Sequence, residues 1–352
     1  MHPKKKKALI STIYPNHGGG VPTLCKEVSE YLLELNIEPI FAWYEPYSVN
    51  KNLSSTFFDI LRFKKPLIQK TTLFGYQAYK VGCWLPELEF THYLPTKLWK
   101  NLFNKTDIHI CVGGNVLSAL HYSILEMPFL TWVASPFQED RTDRLKKLKI
   151  ERRIVSFFTG FVLRHLEKKI LSSDKGKFLS LSKYTKKKLS LIQKKNLKDV
   201  LHPSINKKIF FPNKQNIINW NVGFSGRYKD PRKNIDFLLH AISSLKKKGY
   251  PIQLTLTGCK KDKKFLDKLK YLDIYDSATI YEWLSISELA SVIKTLDLYV
   301  IPSKQEGLCI AGLEAMASGC PIVSTKCGGP EDFVFNDVNG KLIGFDNYKL
   351  EK

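Results

Sequence analysis

Strand-like apolar runs alternate with helix-period runs along almost the whole chain, and that alternation leaves few folds open. "ALISTI" (8–13) reads as a first strand and a glycine-rich loop follows it. "TLCKEVSEYLLEL" (23–35) then puts Leu24, Val28, Leu32 and Leu35 on one helical face. "IHICVGG" (108–114) and "PFLTWVAS" (128–135) read as buried strands that end in small residues. Such alternation predicts a parallel sheet with ligands at the carboxyl ends of its strands. The pattern restarts past residue 203. "PSINKKIFFPNKQNIINW" has no clear period and carries proline and asparagine punctuation, which marks a linker. Beyond it "NVGFSGR", "IQLTLTG", "SATIYEW", "DLYVIPS" and "PIVST" read as strands. The helix-period runs "NIDFLLHAISSLKKKG", "KKFLDKLKYL", "SISELASVIKTL" and "CIAGLEAMASG" separate them. The expectation is two doubly wound α/β domains in series, 1–204 and 205–352, with a ligand cleft between them; a length of 352 residues suits two domains.

One stretch of the second half carries chemistry. "SKQEGLCIAGLEAMASGCPIVSTKCGG" (303–329) holds two carboxylates, Glu306 and Glu314, at the entrance of an otherwise apolar helix. A buried strand is expected to end at Ser303, and a helix to begin near Cys309 or Ile310. Gly319 followed by Pro321 supplies its stop. The N–H groups from Gly307 through Leu308 and Cys309 to Ile310 would then face outward at a helix N-terminus, which suits an anion or a hydroxyl. Neither glutamate can hold an anion, but both accept hydrogen bonds from hydroxyls, which a sugar or ribose supplies in pairs. The pattern therefore suits a ligand with an anionic centre and polyol ends, a nucleotide sugar. A plain capping acid would account for Glu314 taken alone.

This arrangement resembles the E-x7-E motif of retaining glycosyltransferases with the GT-B architecture, the large family 4 type. The usual form is P-S-x-x-E-G-F-G followed by E-A-M-A-x-G-x-P-V-V; here Leu308-Cys309 replaces the aromatic-glycine step. "GGPEDFV" and "NDVNGKLI" downstream match as well, so the resemblance is specific over about 220–345 and weaker elsewhere. It implies an α/β fold of two Rossmann-like doubly wound domains facing across a cleft. It also implies a nucleotide-sugar donor, UDP- or GDP-linked, bound by the second domain, transfer with retention, and a glycan or lipid-linked acceptor on the first. In "GFSGRYKDPRKNIDFLL", Gly226 and Arg227 follow a strand and Lys233 precedes a helix. The family's G-R-x(4)-K pair binds the donor diphosphate. With one extra residue here, Arg232 or Lys233 can take the lysine place, and "PRKN" favours Lys233. Fixed cations and helix N–H groups stabilise a leaving group that gains charge as the glycosidic bond breaks. Arg227, Lys233 and Glu306 are the catalytic candidates. Ser303, Gly307, Leu308, Cys309, Ile310, Glu314 and Gly226 are expected on the donor. A solvated loop is the bland reading of Arg227 and Lys233.

The first half says less. "YPNHGGGVP" resembles the family's glycine-rich loop after the first strand, which brings Gly19 and Gly20 to the donor side. His17 sits in the same loop, on the acceptor or sugar side. After "PFLTWVA" the family often places a histidine near the donor sugar, where this chain has Ser135-Pro136. Ser182, before a helix, is read as structural. Only "GFDNYKLEK" follows "NGKLI", so the family's final crossover helix is expected to be missing.

Charge bounds the partners. A net charge of +22 favours phosphates, nucleic acid or anionic membrane, unless lysine simply fills solvated faces. Residues 141–200 hold 19 Lys/Arg against five Asp/Glu, but without interleaved aromatic platforms or a reader motif, so nucleic acid is not expected. "RRIVSFFTGFVLRHLEKKIL" (152–171) sets Ile154, Val155, Phe157, Phe158, Phe161, Val162 and Leu166 among basic residues. Lys146, Lys147, Lys149, Lys186, Lys187 and Lys188 flank it. Such a helix can lie in an anionic membrane interface or be core with a solvated basic face. Seven scattered cysteines without a CxxC pair argue against a disulfide framework or a zinc site and suit a reducing cytosol. The absence of Asp-x-Asp argues for a transferase without a bound metal. The expected location is cytoplasmic, peripheral on the inner membrane face. A sugar phosphorylase or nucleotide-sugar epimerase would use the same cleft.

Overall fold

The computed structural model describes residues 5–15, 19–139, 141, 150–212 and 219–344; the side chains at 151, 152, 154 and 155 are outside that description. The chain divides into two compact units, Met1–Pro203 and Ser204–Lys352.

The first unit is built on an eight-stranded sheet. Its strands are β1 (Lys7–Thr12), β2 (Glu38–Tyr44), β3 (Ile68–Leu73), β4 (Tyr76–Val81), β5 (Ile108–Gly113), β6 (Phe129–Val133), β7 (Gly176–Ser180) and β8 (Leu197–Val200). They run in the order β3-β4-β2-β1-β5-β6-β7-β8. The helices are α1 (Gly20–Glu34), α2 (Phe57–Leu61), α3 (Lys97–Phe103), α4 (Leu120–Ile124), α5 (Ile150–Leu171) and α6 (Lys183–Ile192). Fully buried runs such as Ala8–Ile10 and Cys111–Val112 explain why the inner strands read as continuous apolar segments. Leu24 and Leu32 of α1 enter the core as their spacing requires, but Leu35 does not: it is the C-cap residue, past the last helical turn, and 69% exposed.

An all-parallel sheet was the expectation, and β3 departs from it by pairing antiparallel with β4. Phe74 (φ 55°) and Gly75 (φ 83°) form a two-residue turn with both φ positive, the geometry that returns a strand directly on its neighbour. The edge strand "IQKTTL" has no buried residue, so no apolar run marks it.

The second unit has six strands, β9 (Asn221–Ser225), β10 (Gln253–Thr257), β11 (Ala278–Tyr281), β12 (Leu298–Ile301), β13 (Ile322–Thr325) and β14 (Gly340–Ile343). All pair parallel, in the order β11-β10-β9-β12-β13-β14. Helices α7 (Ile235–Lys247), α8 (Lys263–Tyr271), α9 (Ile286–Ile293) and α10 (Ile310–Ala317) connect them. Leu238 and Leu239 of α7 and Phe265 and Leu269 of α8 pack on Val222, Leu254 and Leu256 of the sheet. The strand order reverses between β9 and β12, and the crevice past their carboxyl ends is where such sheets bind ligands. Both units are thus Rossmann-like. Among the described residues no helix is long and apolar enough to cross a membrane.

Candidate functional site

The residues singled out in the second half converge on that switch point. Gly226 and Arg227 leave β9; Ser303 and Glu306 leave β12. The connection from β9 to α7 makes a one-turn 3-10 helix, Pro231–Lys233, capped by Asp230, whose side chain accepts from the Arg232 N–H at 3.2 Å. The same carboxylate takes Arg232 Nε and Nη2 at 3.1 and 2.7 Å and Arg227 Nη2 at 3.3 Å. Asp230 therefore holds both arginines of this loop. Arg232 is turned onto its own turn, whereas Lys233 is left to reach across.

Lys233 reaches Glu306, with Nζ 2.8 Å from Oε1 and the two side chains only 19% and 11% exposed. Ser303 Oγ donates to the same Oε1 at 2.5 Å. Oε2 has no hydrogen-bond partner among the described residues and remains an acceptor. Burial works against the Lys233 ammonium, but the Glu306 carboxylate and its hydrogen bond outweigh it, and Lys233 ends above its ordinary range. It stays charged at any physiological pH. Arg227 is 57% exposed and tied only to Asp230 among the described residues.

A second loop clamps the Glu306 turn. Glu306 N–H donates to the Cys327 carbonyl at 2.8 Å, and Gly329 N–H donates to the Glu306 carbonyl at 2.9 Å. Helix α10 runs from Ile310 to Ala317, and past its cap Gly319 (φ 83°) turns the chain away with its N–H on the Met316 carbonyl. The N–H groups of Leu308, Cys309 and Ile310 make no backbone hydrogen bond among the described residues, the usual condition of a helix start. Glu314 is the fifth helical residue, not a cap: no acid lies in the first turn and no side chain caps the helix. It is buried, with no hydrogen-bond partner for its carboxyl among the described residues, and desolvation raises it from the usual carboxylate range to about 7.

The departure Leu308-Cys309 has a backbone consequence. Cys309 holds φ 74°, ψ 72°, a left-handed conformation that glycine adopts freely and cysteine does not. Its buried thiol is pushed up to about 12 by desolvation and is not a nucleophile at neutral pH. Cys309→Gly should leave stability within about 1 kcal/mol of the parent. About 1–2 kcal/mol of strain is relieved, against roughly 1 kcal/mol of lost apolar burial and of unfolded-state entropy. Thermal melting checks this, and a drop of several kcal/mol would show the strain to be negligible.

Sequence reasoning missed three features here. Tyr299 Oη, buried beneath the loop, accepts from Ser225 N–H at 3.2 Å and supports the turn into Gly226. Gly258 (φ 74°) lies so close that an added Cβ would stand 3.2 Å from the Gly226 carbonyl oxygen. Gln305, in the loop between Ser303 and Glu306, is buried with neither amide atom paired among the described residues, a group that is costly to leave unmade. Only Gln305, next to the motif, could have been suspected from the sequence.

The candidates of the first half lie in the first unit. Gly19 (φ 120°) is the N-cap residue of α1 and Gly20 its first helical residue. Ser135 is buried past the end of β6, its N–H on the Gly114 carbonyl at 2.9 Å. His17 lies outside the described residues. Ser182 caps α6 by accepting from Thr185 N–H at 3.0 Å, a structural role.

Residues 220–349 match the family described as glycosyl transferases group 1. An uncharacterized glycosyltransferase of Methanocaldococcus jannaschii is 29% identical over 51% of this chain and 48% of its own length. A GDP-mannose-dependent alpha-mannosyltransferase of Corynebacterium glutamicum is 29% identical over 44% of this chain and 37% of its own. The chain thus spans half or less of these curated relatives. Sucrose-phosphate synthase from Thermosynechococcus elongatus superposes over 97% of this chain and 87% of its own with a TM-score of 0.71 at 16% identity. The structural neighbours are GT-B glycosyltransferases, and the fold is theirs.

Proposed function

We propose that this chain is a metal-independent, retaining hexosyltransferase of the family 4 type. It would move a sugar from a UDP- or GDP-linked donor to a glycan or lipid-linked acceptor in surface polysaccharide or glycoconjugate synthesis. The observation that carries this reading is the Lys233–Glu306 pair at the switch point of the second sheet, on the loop that leads into the start of α10. The pair holds one fixed cation where a departing diphosphate gains charge. Glu306 Oε2 and the Glu314 carboxylate accept from donor hydroxyls. Arg227 adds a second cation that can swing onto the phosphates. Among the described residues no side chain stands in an obvious nucleophile's role, so positioning and leaving-group stabilisation do the work.

A screen of nucleotide sugars for thermal stabilisation identifies the donor, because a ligand that binds only the folded state raises the melting temperature. Transfer of labelled sugar should then persist in a chelator, and the products should exclude a free sugar phosphate or an isomerised donor. An enzyme silenced by chelator and restored by Mn²⁺ would sink the metal-free reading.

Glu314 makes the binding pH-dependent. Its folded pKa of about 7 stands above the ordinary carboxylate value of 4.5, so its contribution to stability is full below about 4.5 and is lost as pH rises through 7. Donor hydroxyls favour the ionised form, so donor binding expels a proton below pH 7. Affinity should climb by up to about tenfold per pH unit on approaching 7 and level off above it. Glu314→Gln should abolish that slope, and Glu314→Ala should weaken binding by on the order of 1.5–3 kcal/mol. Calorimetric titration across pH reads both, and an unchanged affinity in Glu314→Ala would remove this residue from the site.

A further inference from the structure

Two segments of the first unit present aromatic side chains to solvent instead of burying them. In the first, 57–67, Phe57, Phe58, Leu61 and Leu67 are exposed and Phe63 is 91% exposed. This is no loose loop. Thr56 and Asp59 form a reciprocal capping box at the start of α2, Phe63 N–H bonds the Ile60 carbonyl at 2.9 Å, and Lys64 pairs with Asp59 at 3.4 Å. Phe63 is held at φ 59°, a conformation that aims an apolar ring outward at a cost in strain. The second segment is the amino-terminal half of α5, where Phe157, Phe158 and Phe161 are 71, 68 and 70% exposed. The opposite face of α5 enters the core through Leu163, Ile170 and Leu171, and Leu166 packs against that core instead of joining the exposed row.

Topology puts both segments at one edge of the sheet. The 45–67 connection leaves the carboxyl end of β2 and enters β3, whose antiparallel sense makes it start at that same edge. Helix α5 runs from the connection after β6 toward the start of β7, so its first half lies at the carboxyl edge. The 83–93 segment bridges the two. Ser55 pairs with Trp84, Leu85 N–H bonds the Ser55 carbonyl at 2.8 Å, and Glu89 forms an ion pair with Arg141. Arg141 sits 5.2 Å from the centre of the Phe137 ring, and with Arg164, Ser156 and Phe157 it lines a cavity of about 180 Å³ against α5.

We propose that this edge of the first unit docks on an anionic phospholipid surface, with Phe58, Phe63, Phe157 and Phe161 entering the interface and Arg164 meeting a head-group phosphate. The charge on the page selects that occupant. Arg62 and Lys65 lie in the first segment and Arg153, Arg164, Lys168 and Lys169 in α5, while Lys64 and Asp59 neutralise each other. A second copy of the chain would bring another +22 against the same face. Amphipathic, cation-flanked aromatic elements lie in lipid interfaces in this manner. The proposal stands apart from the transferase reading, since vesicle binding needs no donor and no turnover.

The test is sedimentation of the full chain with vesicles of phosphatidylcholine alone and of phosphatidylcholine with phosphatidylglycerol. Binding should require the anionic lipid and fall as salt rises. The pairs Phe58→Ser/Phe63→Ser and Phe157→Ser/Phe161→Ser should each weaken it at least about tenfold with melting temperatures unchanged, because the replaced rings are already in water. Arg164→Glu, a surface charge change that spares the rings, should weaken it on the order of fivefold or more. Equal binding to neutral vesicles, no binding to either, or variants that bind like the parent would overturn the proposal. So would a parent dimer on gel filtration that the serine pairs dissociate, which would assign the face to a protein partner.

Discussion

Lys233→Ala should lower the rate of sugar transfer by about 10²–10³-fold, the size of effect seen when a fixed donor to a developing anion is removed. Two losses follow from this one change. Under the proposed function, the leaving diphosphate would lose a cation that Glu306 holds in place and keeps charged. Glu306 in turn is stranded, 11% exposed, with Ser303 as its remaining donor among the described residues. Breaking a fully buried pair costs 3–5 kcal/mol; with both side chains partly in water, about 2 kcal/mol is the reasonable size here. The two losses separate in the double variant. Lys233→Ala/Glu306→Gln should regain stability, because no unpaired carboxylate remains, yet stay slow. Arg227→Ala should cost less than Lys233→Ala, since Arg227 is exposed and not preset. The Arg227→Ala/Lys233→Ala pair should lose less than the sum, because both act on one diphosphate. Melting temperatures and kcat/KM for the set read all of this. A folded Lys233→Ala enzyme within a few-fold of the parent rate would remove the lysine from the leaving-group site.

How far the sequence carried this reading depended on burial. The inner strands announce themselves because both faces are covered, so runs such as "LYVI" are apolar throughout. The edge strand β3 is polar and partly exposed, and its hairpin turn is Phe-Gly, not one of the asparagine-rich pairs that betray such turns. The E-x7-E pattern was legible because the strand, the turn and the helix each leave a local signal. Spacing left Arg232 and Lys233 both open and "PRKN" favoured Lys233; that Asp230 engages Arg232 while Lys233 reaches Glu306 is a three-dimensional fact no spacing shows. The titration of Glu314 was hidden for the same reason, since desolvation depends on what covers a residue. The basic aromatic helix was visible as a pattern, and its structure divides it. Leu166 belongs to the core, Lys186 and Lys188 are engaged with Asp199 and Glu139, and Lys146, Lys147 and Lys149 lie outside the described residues. The side chains of Ile154 and Val155 do as well. The Phe57–Leu67 segment gave no warning, because exposed phenylalanines look like core in a sequence.

Gly329→Ala should do more damage to the fold than any other single methyl group added to the site. A Cβ there would stand 2.2 Å from Leu308 Cα, 2.5 Å from Leu308 N and 2.6 Å from the Gly307 carbonyl oxygen. All three are backbone atoms, so no side-chain rotation makes room and one loop must leave the other. The bonds between the loops, Glu306 N–H to Cys327 and Gly329 N–H to Glu306, open with it. Overpacking costs about 1–3 kcal/mol, and each lost hydrogen bond adds roughly 0.5–1.5 kcal/mol. A destabilisation of about 3–5 kcal/mol follows. The shift also carries Glu306 away from Lys233 and tilts the start of α10, so donor-induced stabilisation should vanish even at temperatures where the variant is folded. Gly160→Ala is the control. Nothing lies within 4 Å of the added carbon, and a helical alanine should hold or raise stability by up to about 1 kcal/mol. Urea unfolding and a donor thermal-shift assay on the two variants measure both consequences. If Gly329→Ala matched Gly160→Ala in both, the 327–329 loop would not be what holds the Glu306 turn in place.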